Sequence, residues 1–228
     1  MKRALAMVGP PTLASFAFDG RAALELVLTS SSYGTIAQAV ASLTAFTHPD
    51  TVAQIPGSAL FPCIRSVGRH DRYTIDVREG RRLGFDDNVV ARDTFGWCNG
   101  RTRRGRDVHL NHIYQRRHDP GAFSAPANMC ASPAFLAKLT DDDQDIKALL
   151  RRRAYHLYGW MPESNVPPKP VSYDNLLWAD PLPAVLNLEG VLRSHMKRRP
   201  KHFAVQIARE IGWAFSGGEP DSAFANTF

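Results

Sequence analysis

The stretch Asp107–Asp141 reads DVHLNHIYQRRHDPGAFSAPANMCASPAFLAKLTD. Its opening run, Val108-His109-Leu110-Asn111-His112-Ile113-Tyr114, alternates with the period of a β-strand. A basic, turn-prone connection follows from Gln115 to Pro120, then a short extended piece around Phe123, and then Asn128 ahead of a helical segment. In a regular strand His109 and His112 project from opposite faces. The order of parts is thus a strand ending in His, a loop, and an Asn at the start of a helix.

The surrounding charge is compatible with an anionic partner. The chain of 228 residues has a net charge of +6, and its cations come in groups. Arg101, Arg103, Arg104 and Arg106 form one group, Arg116 and Arg117 a second, and Arg151, Arg152 and Arg153 a third. Lys197, Arg198, Arg199 and Lys201 form the fourth. Arginine's planar fork suits phosphate oxygens, and such clustering suits nucleic acid. A solvated basic face with no partner is the competing reading for any one group. For Arg151–Arg153, assistance to the end of a helix competes equally.

Working outward, Arg21–Leu28 predicts a short helix, and Thr35 caps a second one running to about Phe46, with His48-Pro49-Asp50 as its stop. Residues 1–20 are expected to wrap over the core. Leu60–Ile64, Tyr73–Val77 and Arg81–Leu83 read as strands, with Glu79-Gly80 a turn between the last two. Asp86 or Asp87 caps the next helix; metal binding by these carboxylates is the less favoured alternative. The clearest helix spans Asp142 to Tyr158, with Ile146, Leu149, Leu150, Ala154, Leu157 and Tyr158 as its apolar stripe and Gly159 as its stop. A proline-rich connector, Trp160–Pro170, leads to two more helices near Ala184–Met196 and Lys201–Phe215. The expected fold is α+β: one domain over residues 1–228, with a strand-rich middle, helices flanking it and a helical C-terminal part from residue 142.

Several function classes are excluded. No apolar run is long enough for a bilayer, and the apolar patch before Pro10-Pro11 is shorter than a signal-peptide core, so a cytoplasmic protein is expected. Cys63, Cys98 and Cys130 are odd in number and widely spaced, which argues against disulfides and a conventional zinc knuckle. An irregular Cys98–His112–Cys130 site is a remote option. There is no Walker-type loop, and Ser58 and Ser216 lack a nucleophile context.

Residues 97–141 resemble the HNH, or His-Me finger, nuclease superfamily. Asn111-His112-Ile113 matches that family's acidic-His-aliphatic step, Asn128-Met129 its Asn followed by an apolar residue, and Trp97-Cys98-Asn99-Gly100 the knuckle before its first strand. The resemblance implies a ββα-metal finger, with His112 as general base, Asn128 holding the loop or binding the metal, and Asn111 as a metal ligand. It also implies a divalent cofactor, Mg²⁺ or Mn²⁺. There are two departures: Phe135-Leu136-Ala137-Lys138 stands where the family has a further His or Asn, and Ser132-Pro133 starts the helix after Asn128.

The expected function is a metal-dependent DNA endonuclease of stand-alone restriction type, acting on double-stranded DNA, with a homodimer left open. Its nucleic-acid contacts would be the first, second and fourth basic groups. The competing readings are a base glycosylase and a non-catalytic nucleic-acid-binding protein. His112 as a hydrogen-bonded structural residue, and Asn128 as a turn residue, stay open at this point.

Overall fold

A computed structural model describes residues 10–101 and 105–225. Its centre is an antiparallel ribbon of β4 (Val108–His112) and β5 (Met129–Pro133), registered His112 opposite Met129 and Val108 opposite Pro133. On the free edge of β5, Ala45 exchanges two backbone hydrogen bonds with Ala131, at 2.8 and 2.9 Å. Helix α5 (Ala134–Asp142) follows at once. The order strand, loop, strand, helix is thus present. Asn128 precedes a strand, however, and the helix waits until Ala134. The extended piece expected around Phe123 is instead a turn, with the Ala122 and Phe123 amides donating to the Asp119 carbonyl.

The ribbon separates two apolar clusters. One contains Met129 and Ala131 and is built from α4 (Val89–Cys98), α7 (Leu188–Arg198) and α8 (Phe203–Glu210). The other contains Cys130, Ile113 and Tyr114 with α2 (Ile36–Leu43) and α6 (Gln144–Tyr158). Burying such side chains is worth about 1.5–3 kcal/mol each, so the ribbon is gripped from both faces. Helix α1 (Gly20–Thr29) adds Leu28 to the second cluster.

A second sheet flanks the first cluster. In it β3 (Arg81–Asp86) lies between β2 (Thr74–Arg78), antiparallel, and β1 (Cys63–Arg65), parallel. Gly84 on β3 is required by close approach: a Cβ there would sit 2.6 Å from Ile207 Cδ1 of α8. The cap expected of Asp86 is present. Its buried carboxylate accepts the Val89 and Val90 amides at 3.2 and 2.9 Å, and burial raises its pKa to about 6.

Several expectations need correction. His48-Pro49-Asp50 starts a helix instead of stopping one: His48 Nδ1 accepts the Asp50 amide and α3 (Pro49–Val52) follows. The long helix begins at Gln144, because Asp143 caps it and breaks it from α5. Helix α8 ends at Glu210, since Gly212 takes a left-handed φ of 101°. Residues 10–20 lie exposed or nearly so and cover no core. Among the described residues, no helix is long and apolar enough to cross a membrane.

Candidate active site

His112 ends β4, where the chain leaves the ribbon into a loop that returns at Asn128. Asn128 clamps that loop. Its buried Oδ1 accepts the Tyr114 amide at 2.8 Å, while Nδ2 donates to the carbonyls of Tyr114 (3.2 Å) and Ala122 (3.0 Å). With both amide atoms engaged and no solvent exposure, Asn128 is placed as the loop's fastener and is withdrawn as a metal ligand.

The fastened loop presents the Phe123 carbonyl to His112. The separation from His112 Nε2 is 2.9 Å, and the two rings stack with centroids 5.3 Å apart. A carbonyl can only accept, so Nε2 must carry the proton and the neutral ring's lone pair is on Nδ1. Burial depresses the His112 pKa below its ordinary value. The Phe123 hydrogen bond opposes this, Arg65 pushes further down, and the Asp141 charge pulls back up. The ring is therefore held neutral at neutral pH with a fixed tautomer and an available base nitrogen.

His112 opens into a cleft of about 480 Å³ whose walls include Asn111, Arg65, Arg117, Gln115 and Asp141. Consecutive residues 110–112 all line it, so the cleft wraps the edge of the strand. Asn111 Nδ2 donates to Ser132 Oγ at 2.7 Å, which leaves Oδ1 as the atom able to face the cleft. Asp141 stands in the last turn of α5, and Gln115 Nε2 holds its backbone carbonyl. No group of three or more His, Cys, Asp or Glu side chains suited to a metal occurs among the described residues. One carboxylate and one amide oxygen are nonetheless the hard oxygen donors from which Mg²⁺ is commonly held, with waters completing the shell.

The basic groups divide. Arg117 lines the His112 cleft, whereas Arg116 turns away to pair with Glu163 at 3.4 Å. Arg101 and Arg199 line a different cleft, of about 270 Å³, beside Arg92, Trp97 and Leu110. There Arg199 pairs with Asp93 at 3.4 Å and lies over the Trp97 ring. Arg106, Lys197 and Lys201 are exposed, Arg198 donates to Ser194 Oγ, and Arg103 and Arg104 fall outside the described residues.

Arg151, Arg152 and Arg153 are structural. They lie over the rings of Tyr114, Tyr155 and Trp178, and Arg153 also donates to the Ala179 carbonyl. His109 is exposed and pairs with Ser132 across the ribbon, and strand alternation puts it on the other face from His112. The irregular zinc option fails, since Cys98 and Cys130 are buried in different clusters. The supposed knuckle at residues 97–100 is the end of α4 with its cap.

Asp141 and Arg65 stand in the cleft without a sequence signal that ties them to His112. Asp141 is the first of three consecutive aspartates, Asp141-Asp142-Asp143, beside a helix start. Arg65 follows an apolar run, and no local signal ties it to His112. No family model, no curated protein and no solved structure matches the chain.

Proposed function

We propose that this chain hydrolyses phosphodiester bonds in nucleic acid, double-stranded DNA first, with His112 as general base. The observation that carries the reading is the pairing of His112 Nε2 with the Phe123 carbonyl, which turns Nδ1 into an aimed base within an arginine-walled cleft. Water attacking phosphorus gives its proton to Nδ1 as the new P–O bond forms and the bond to the leaving oxygen breaks. The imidazolium so formed keeps its Phe123 hydrogen bond. Arg65 and Arg117 stabilise charge on the non-bridging oxygens. Asn111 and Asp141 would hold a divalent ion. Once bound, it would supply Lewis-acid stabilisation of the phosphate and leaving oxygen.

The test is incubation of the purified chain with supercoiled plasmid, with Mg²⁺ or Mn²⁺ and with excess chelator. Relaxed and linear products that vanish with chelator support the reading. Strand breaks that appear only after alkali would mean base excision, and bound but intact plasmid would mean a non-catalytic binder. Either result rejects it.

A further inference from the structure

The His112 cleft shares two of its walls. Arg65 and Arg117 also line a neighbouring cleft of about 420 Å³, where Arg69, Arg72 and His118 join them. Backbone hydrogen bonds fix the junction. The Arg65 amide donates to the Arg117 carbonyl at 2.8 Å, and the Ser66 amide to the Asp86 carbonyl at 2.8 Å. The end of β1, the end of β3 and the loop after β4 are thereby tied together. Both clefts are parts of one surface.

The charge in this second cleft is one-sided. Of its four arginines, Arg72 alone has a carboxylate, Asp87, at 2.9 Å. Arg65, Arg69 and Arg117 have no ion pair among the described residues. Exposed His118 lies in that field: desolvation, and then the charges of Arg117, Arg78 and Arg65, lower its pKa. Like charges facing one cleft repel, so a multiply charged anion bound there relieves a cost the free protein carries. The lining is polar main chain and guanidinium with little apolar surface, which suits phosphates better than bases.

We propose that the Arg69–Arg72–His118 cleft is a subsite for backbone phosphates flanking the scissile one, reached through Arg65 and Arg117. The inference rests on the nuclease reading for the position of the cut. The occupant is a nucleic-acid strand because the cleft continues into the His112 cleft, and a lone phosphate would leave most of that continuous surface unfilled. Arg69 contacts a phosphate beyond the reacting one. Its loss therefore weakens binding without touching the base nitrogen.

The experiment uses the full chain in chelator with a short duplex, and reads binding across a salt series together with the His118 ring titration by NMR, assigned with His118→Gln. Arg69→Gln should flatten the log–log salt slope by about 0.9, the share of one phosphate contact, and Arg69→Glu should weaken binding further. Duplex should raise the His118 pKa, as an anion offsets the arginines. In cleavage assays with metal, Arg69→Gln should lose efficiency mainly through KM. An unchanged slope and unmoved His118, in a protein that binds and cuts, overturn the subsite and leave the nuclease reading standing. Inorganic phosphate raising the His118 pKa as far as duplex does, with duplex unable to displace it, also overturns it as an isolated anion site. A flattened slope and shifted His118 in a protein that never cuts keep the subsite and reject the nuclease. No binding of duplex by wild type rejects both.

Discussion

Replacing Asn128 by Ala should cost stability first and activity as a consequence. The side chain makes three buried hydrogen bonds, but their loss is not equal. The Tyr114 carbonyl also accepts the Arg116 amide at 2.7 Å, and the Ala122 carbonyl accepts the Ala125 amide at 3.3 Å, so each keeps a partner. The Tyr114 amide keeps none. An orphaned buried N–H costs about 1–3 kcal/mol, and each of the two remaining bonds is worth about 0.5–1.5 kcal/mol, so the variant should lose about 2–6 kcal/mol. Urea unfolding should show a lower midpoint with an unchanged slope. The loop that presents the Phe123 carbonyl then slackens, and the His112 tautomer is no longer enforced. Extra Mg²⁺ should not restore cleavage. A variant within about 1 kcal/mol of wild type whose activity returns at high metal would refute the clamp and reinstate Asn128 as a ligand.

Three further outcomes follow from the same geometry. With His112 as base, the rate should rise with pH through a midpoint below the ordinary His value. Arg65→Gln should move that midpoint upward, because Arg65 disfavours the protonated ring; a pH–rate profile of both proteins checks this. Asp86 has its folded pKa raised from 3.8 to about 6, so it contributes stability below pH 3.8 that is lost as pH rises through about 6. The loss amounts to about 3 kcal/mol, and unfolding of Asp86→Asn across that window should lack it. Arg153→Ala should lower the thermal midpoint through its Trp178 and Ala179 contacts, yet leave the salt slope of DNA binding unchanged.

What the sequence revealed followed local periodicity. The alternation of Val108–His112 predicted β4, Glu79-Gly80 the hairpin between β2 and β3, and Thr35 and Gly159 the ends of their helices. Strand β5 was missed because Met129–Ser132 is buried on both faces, which erases the alternation, while the helix start signalled by Ser132-Pro133, realised one residue later at Ala134, directly adjoins it. The site was half legible. His112 and Asn111 share a strand with a local pattern, but Arg65 joins them only through long-range pairing of its backbone with Arg117. The Asn128 clamp depends on groups that the loop brings back to it. Arg151–Arg153 were left between helix assistance and phosphate contact for a different reason: their planar heads lie over aromatic rings, which a count of charges does not register.

The most direct test of the account is plasmid cleavage by His112→Ala beside His109→Ala, each first shown to be folded and to bind duplex DNA. Loss of a general base typically removes about 10²–10⁴ in rate. His112→Ala should therefore bind DNA with near-wild-type affinity and a rate reduced by that order, while His109→Ala, on the exposed opposite face, keeps its activity. A folded His112→Ala that cuts at the wild-type rate would contradict the account at its centre.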